Sequence, residues 1–330
     1  MNNKLKLGLL TILLGALGFA DLLGAGATFP QPLYSKMFAV YEQQKGVKVN
    51  YQGIGSGGGI QQLTEKVIDF GGTDAYMTDK EIAATGAKIV HIPTCIGAVV
   101  IAYNIPGNPD LKLTPALVAK IFNGEINKWS DPQIAAVNPG LKLNGDIFVV
   151  HRSDSSGTTS IFTDYLSQID PANWKMSKTF STKSKLAVGG KGNSGVAGLI
   201  KQMPGAIGYT EIAYANQNQM KYAVVQNSSG VFITPSLEST SAAADVEIAA
   251  DTRASIVNTK ARDGYPICGF SWLVAYQDLS KNPAKARETT DLLKWIIADG
   301  QAFTRELDYG RLPQSVAAKA LANINSIKVN

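Results

Sequence analysis

Three times in this chain an apolar, strand-like run breaks into a turn of glycine, serine and threonine and then enters a helix. The stretches are GAGATFPQPLYSKMF at 24–38, QGIGSGGGIQQL at 52–63 and RSDSSGTTSIF at 152–162. A recurring strand–turn–helix unit restricts the chain to an α/β architecture, in which helices cover the faces of a sheet. In each unit the first helical turn leaves backbone N–H groups without partners inside the helix, and these groups and the helix dipole favour an anion. Glycine lets the backbone come close, and Ser or Thr adds a hydroxyl donor. One such turn is only a helix cap; three in one chain make a candidate anion site. The remaining sequence alternates in the same way. KVNYQ, IVHIP, AVVIAYNI, DIFVVHR and AIGYTEIAYA read as strands. IQQLTEKV, with Ile60, Leu63 and Val67 on one face, reads as a helix, as do PALVAKIFNG, GTTSIFTDYL and TTDLLKWIIADG, the last stopping at Gly300.

The 330 residues are enough for two domains, each with its own core. A hydrophobic content of 45% and a charged content of 17% are those of a soluble globular chain. The net charge of +5 comes without any run of Lys or Arg, which argues against a nucleic-acid partner. At the N-terminus Lys4 and Lys6 precede the uncharged LGLLTILLGALGFA, with small residues Gly18 and Ala20 at the −3 and −1 places of a signal-peptidase site. Residues 1–20 therefore read as a cleaved secretory signal; an uncleaved anchor is the alternative. Export sets an oxidising context for the two cysteines, Cys95 in HIPTCIGAVV and Cys268 in YPICGFSWLV. Spacing alone leaves a disulfide and a pair of buried thiols both open.

Several chemistries are open to Gly-rich turns. Gly53, Gly55 and Gly58 spell GxGxxG after a strand, the dinucleotide pattern, with Asp74 downstream. Asp74 lies in VIDFGGTDAYM, where glycines follow a short apolar run and no clean second strand ends on the acid. There is no GxxxxGK[ST], so Lys191 in GGKGNSG is read as part of a turn before the helix VAGLIKQM. A serine hydrolase needs a base, and only His91 and His151 exist. His91 sits in an apolar strand as a core histidine, and His151 alternates to the face opposite Arg152. HExxH, paired CxxC and EF-hand patterns are lacking, so the sequence suggests neither a catalytic residue nor a metal site.

Binding remains. Arg152 offers a planar fork for oxyanion oxygens, and Asp154 is near enough in sequence to hold it; a surface Arg–Asp pair is the plainer alternative. Asp74 has the wrong charge for an anion pocket unless the ligand carries a proton, because an ionised carboxylate only accepts hydrogen bonds. Phosphate at neutral pH has an O–H to give and sulfate does not. A turn or helix cap is the alternative role for Asp74.

These residues stand in segments that resemble the periplasmic phosphate-binding proteins feeding phosphate ABC importers. The resemblance covers essentially the whole mature chain. It is carried by GAGATFPQPLY, VNYQGIGSGGG, DFGGTDAYM, IFNGEINKWSDPQI, RSDSSGTTSIF, GGKGNSGVAGL, PGAIGYTEIAYA and LDYGRLPQSV. It implies a two-lobed periplasmic-binding-protein fold, type II-like, with lobe one from 21–104 plus 265–330, lobe two from 105–264 and ligand in the cleft. It also implies that phosphate is held by Thr28, the backbone of Phe29, Ser56 and Asp74 on one side, and by Arg152, Ser156, Gly157 and Thr158 on the other, with Asp154 orienting the arginine. A monomeric, non-enzymatic periplasmic receptor without cofactor follows, delivering inorganic phosphate to an inner-membrane ABC permease. The implied topology puts Cys95 and Cys268 on neighbouring strands, which favours a disulfide between them. Two departures from the family pattern are Gly57, where a serine is often seen, and His151, where a second arginine can occur. A phosphohydrolase using the same cradle and a receptor for arsenate are the competing readings.

Overall fold

The computed structural model describes residues 21–330, so the expected signal segment lies outside the described residues. The first unit runs from β1 (Leu22–Gly26) through a short turn into α1 (Gln31–Lys45), which stops at Gly46 in the left-handed region. There follow β2 (Val49–Gly53), α2 (Ser56–Thr64), β3 (Phe70–Thr73) and α3 (Asp79–Ala84), the last started by a reciprocal Thr78–Glu81 capping box. The long strand β4 (Ile89–Tyr103) is buried over nearly its whole length, which is why its sequence is an almost unbroken apolar run.

After β4 come β5 (Lys112–Leu113), α4 (Pro115–Asn123), α5 (Pro132–Val137), β6 (Phe148–Arg152) and α6 (Gly157–Ile169). Next are β7 (Ala187–Gly190), α7 (Gly192–Gln202), β8 (Ala206–Glu211) and α8 (Ile212–Gln217). Three short strands, β9 (Lys221–Tyr222), β10 (Val224–Gln226) and β11 (Phe232–Ile233), precede α9 (Leu237–Ala243). The chain closes with β12 (Cys268–Tyr276), α10 (Pro283–Ile297) and α11 (Gln314–Asn325).

The local readings needed four corrections. IVHIP and AVVIAYNI are one strand, because the intervening Thr94, Cys95 and Ile96 are also buried and the pairing with β12 resumes at Cys95 after a one-residue bulge at Thr94. Helix α2 ends at Thr64; Lys66 takes φ 60° and Val67 is left 56% exposed. The strand stops at Glu211 and IAYA is the start of α8, because the Glu211 side chain accepts from the Ala213 N–H and caps a helix there. Helix α10 ends at Ile297, and Gly300 lies within a 3-10 turn, where a Cβ would come 3.2 Å from the Trp295 ring. Gly300 is small for packing, not for a left-handed stop.

Nine of these strands form a mixed sheet in the order β2-β1-β3-β12-β4-β8-β6-β7, with β9 also on β4, and the other three form a small sheet in the order β11-β10-β5. β1, β2 and β3 pair in parallel, as do β8, β6 and β7. β4 and β12 join the two groups by antiparallel pairing. β4 changes partner midway: Ala98 and the residues before it pair with β12, whereas Val99 onward pair with β8. The two parallel groups thus meet at the Ala98–Val99 bond. A strand-to-helix turn from each group points toward that boundary, since ligand sites of open α/β sheets lie outside the strand carboxyl ends.

The same register overturns the expected disulfide. Cys95 and Cys268 are on adjacent strands, but Cys95 pairs with Ser271 and Cys268 with Ala98. A three-residue offset is about 10 Å along a strand and puts the two side chains on opposite faces of the sheet. A disulfide needs Cα atoms within about 4.4–6.8 Å. Both thiols are free and buried, and burial pushes both up, Cys268 to about 12.

Candidate functional site

The three turns noted in the sequence come together at the boundary between the two strand groups. From β1, Thr28 and Phe29 form the first turn. From β2, Gly55 enters α2 at φ +88°, a value that favours glycine, and an added Cβ there would lie 2.4 Å from Asp154 Oδ2. From β6, Arg152 and Asp154 lead into α6, whose first N–H groups face Ser56. Each turn is buried: Thr28 is 5% exposed, Ser56 0%, Arg152 2% and Thr158 0%.

Arg152 is fixed from three directions. Its Nε and Nη2 donate to the two carboxylate oxygens of Asp154 at 2.8 and 2.5 Å, and its Nη1 donates to Thr158 Oγ1 at 3.1 Å. This fork-on-carboxylate geometry orients the guanidinium while Asp154 is itself held by the Gly192 N–H at 3.1 Å. Burial pushes the Asp154 carboxyl up, but the hydrogen bonds and charge of Arg152 outweigh it and the net direction is down. A surface ion pair is excluded, because the Arg152 side chain is 1% exposed. His151 lies on the opposite face of β6, stacked on Phe180, with Nδ1 2.9 Å from the Arg152 carbonyl.

Asp74 follows β3 directly, so an acid does end a strand here, contrary to the sequence reading; FGGT is the strand, its glycines admitted because neighbouring backbone and Tyr51 crowd them. Asp74 is 4% exposed and caps no helix; Thr78 does that instead. Ser271 Oγ donates to Asp74 Oδ1 at 2.6 Å, and Ser56 Oγ lies 3.4 Å from Oδ2. Burial drives its carboxyl up to about 7, against smaller opposing effects of Ser271, the Arg152 charge and Ser56. A carboxyl with that value accepts or donates a proton near neutral pH.

The two sides touch. Gly157 N–H donates to Ser56 Oγ at 3.0 Å, and Gly57 N–H to the Ser155 carbonyl at 3.0 Å. With Ser155 on the α2 N-terminus, the dinucleotide reading fails, because the helix start it needs is met by the opposite turn. Ser156 caps α6, its Oγ accepting from the Thr159 N–H at 3.1 Å. Lys178 Nζ pairs with Glu81 across the same boundary, and the Lys178 carbonyl accepts the Ser156 N–H at 2.8 Å.

All of Thr28, Phe29, Ser56, Asp74, Arg152, Asp154, Ser156, Gly157 and Thr158 belong to this cluster. Sequence reasoning missed Asn193, Ser271, Glu211 and Tyr214. Asn193 donates from its N–H and Nδ2 to Thr28 Oγ1 at 3.1 and 3.0 Å, and from Nδ2 to Thr158 Oγ1 at 3.0 Å. Its signal was present: AVGGKGNSGVAGL is a fourth strand–glycine turn–helix unit, β7 into α7. Ser271 is one hydroxyl inside an apolar strand, with nothing in its spacing to mark it. Glu211 is fully buried, Oε2 accepting from the Ala213 N–H and lying 3.1 Å from the Tyr309 hydroxyl, Oε1 without a hydrogen-bond partner; burial pushes its carboxyl well up. His91 is the core histidine expected, Nε2 accepting from the Met77 N–H at 2.9 Å, and burial lowers it to about 4. Among the described residues no group of three or more His, Cys, Asp or Glu is placed to hold a metal, and no helix is long and apolar enough to cross a membrane.

Known proteins share this organisation. The family model of the PBP superfamily domain matches residues 16–299. The phosphate-binding protein PstS of Haemophilus influenzae is 42% identical over 316 residues, 92% of this chain and 93% of that protein. PstS of Methanocaldococcus jannaschii is 34% identical over 332 residues, 92% of this chain and 85% of that protein. Among solved structures, the high-affinity periplasmic phosphate-binding protein PfluDING, bound with phosphate, superimposes with a TM-score of 0.80 at 22% identity, covering 94% of this chain and 96% of its own. A phosphate-binding protein from Stenotrophomonas maltophilia gives 0.77 at 21% identity, covering 94% and 96%; at such identities the likeness concerns the fold. With identity to PstS proteins sustained over nine-tenths of its length, the chain belongs to the PstS family of phosphate-binding proteins within the PBP superfamily.

Proposed function

We propose that this protein is a non-catalytic, monomeric periplasmic receptor that binds one inorganic phosphate between two lobes, 21–104 plus 265–330 and 105–264, and delivers it to an inner-membrane ABC permease. The observation that carries this reading is the pairing, within one buried cluster, of an oriented guanidinium with a carboxyl poised near 7. Arg152, held by Asp154, supplies the positive charge. Asp74 supplies an acceptor for one proton. Whether the proton is written on the ligand or on Asp74, the pair fits an anion bringing one O–H at neutral pH. Thr28, the Phe29 N–H, Ser56 and Thr158 complete the ring of donors, with Ser156 and Gly157 starting the helix behind them. The relatives' printed names, phosphate-binding protein PstS, support the same ligand. Neither histidine faces the cluster, which favours binding over hydrolysis of a phosphoester.

The test is isothermal titration of dialysed, phosphate-free mature protein with phosphate and then sulfate near neutral pH. Micromolar or tighter binding of phosphate, one ion per chain and well ahead of sulfate, is expected, with sulfate weakening further above pH 7. Equal binding of both ions would discard the role given to Asp74, and binding of neither would discard the function.

A further inference from the structure

Two tyrosine hydroxyls close on the first turn at the same distance but on different peptides. Tyr214 OH, from α8, donates to the Thr28 carbonyl at 2.6 Å. Tyr309 OH, from the segment before α11, donates to the Phe29 carbonyl at 2.6 Å. The Thr28 carbonyl and the Phe29 N–H are the two ends of one peptide unit. That N–H belongs to a fully buried residue, and no acceptor among the described residues takes it. The Phe29 carbonyl belongs instead to the peptide with Pro30, which has no N–H.

Given the phosphate reading, we propose that Tyr214 is an affinity-determining positioning residue that acts on the ligand through the Thr28–Phe29 peptide. A hydrogen bond to a carbonyl draws electron density toward that oxygen and makes the N–H of the same peptide a stronger donor, by roughly 10–30% per bond in a chain. The Thr28 carbonyl accepts a second bond, from the Gln31 N–H at 3.2 Å, so both of its lone pairs are engaged and the plane of the peptide is fixed. Tyr214 is only 8% exposed, which removes competition from water. It also stands in the second strand group's following helix while Thr28 follows β1, so the contact spans the boundary that ligand binding is proposed to close.

Tyr309 provides a control from within the structure. Its bond is equally short and buried, and it also reaches Glu211 Oε2 at 3.1 Å, yet the peptide it touches has no donor to strengthen. The experiment compares Tyr214→Phe and Tyr309→Phe in the mature protein, reading phosphate association and dissociation rates, phosphate-free Tm and the Phe29 amide proton shift on adding inorganic phosphate. Tyr214→Phe is expected to weaken phosphate about five- to tenfold, mostly through faster dissociation, and to shrink the downfield shift of the Phe29 amide. Tyr309→Phe is expected to lower Tm while leaving affinity within about twofold. If Tyr214→Phe does not fold, 3,5-difluorotyrosine at 214, a stronger donor of the same shape, is expected to tighten binding and enlarge the shift. The proposal is overturned if both Phe variants weaken phosphate equally, or if Tyr214→Phe or the fluorinated residue leaves affinity and the Phe29 shift unchanged. Failure of the wild-type protein to bind phosphate would overturn the functional reading itself, which distinguishes the two.

Discussion

The substitution Asp74→Asn separates ligand selectivity from stability, because the buried carboxyl pulls the two in opposite directions. Asp74 rises from 3.8 to about 7 on folding, chiefly by burial. A carboxyl raised in the folded state contributes stability that is fully present below its unfolded value and is lost as pH rises through the folded value. The window is therefore pH 4 to 7, and a difference of about 3 units corresponds to about 4 kcal/mol. Asparagine keeps the shape and never ionises. Phosphate-free Asp74→Asn is thus expected to gain on wild type steadily between pH 4 and 7, by up to about 4 kcal/mol in urea unfolding. Glu211 is raised chiefly by burial and in smaller part by the Asp74 charge, so only the burial part drops out of the difference; losing the Asp74 charge eases Glu211 and adds to the gain of the variant.

Selectivity moves the other way. Sulfate has no proton, so it fits wild type only when Asp74 holds one, and its affinity is expected to fall about tenfold per pH unit above 7. In Asp74→Asn the amide N–H donates to sulfate at every pH. The slope should vanish, and the preference for phosphate at pH 8 should fall by at least about 10². Competition titration from pH 6 to 9 reads both quantities. A sulfate affinity independent of pH in wild type, or unchanged selectivity in the variant, would refute the reasoning.

Other outcomes test the remaining geometry. Gly157→Ala places a Cβ 2.5 Å from Ser56 Oγ and 2.6 Å from Asp74 Cβ. Phosphate affinity should fall by at least about 10² in titration, and phosphate-free stability should fall by about 1–3 kcal/mol, since the methyl overlaps the buried Asp74 backbone and Ser56 hydroxyl. Arg152→Lys leaves Asp154 with the Gly192 N–H and a single ammonium in place of a fork, and is expected to weaken phosphate by at least about thirtyfold. Removing the Lys178–Glu81 pair with Lys178→Met should speed phosphate release about two- to fivefold in stopped flow, and high salt should mimic it. Thiol titration should find two free cysteines after denaturation without reductant and almost none in the folded protein; a count of zero after denaturation would contradict the strand register.

The fold class and much of the site were legible because they rest on local chemistry. A glycine–hydroxyl turn ahead of an amphipathic run dictates a strand-to-helix turn wherever it sits, and Arg152 and Asp154 are two residues apart, so their pairing needs no tertiary information. Relations set by distant register were not legible. Cys95 and Cys268 occupy neighbouring strands, as the resemblance implied, yet an offset of three residues forbids their bond. Glu211 reads as a plain strand residue, but its carboxyl caps α8 and meets Tyr309 from the far end of the chain. Ser271 reaches Asp74 across 197 positions, and Asn193 reaches Thr28 across 165. The sequence by itself determined which peptides can present donors. Only the tertiary structure decided which distant side chains set their strength, because burial and hydrogen bonding around Asp74 and the Thr28–Phe29 peptide come from elements brought together by packing alone.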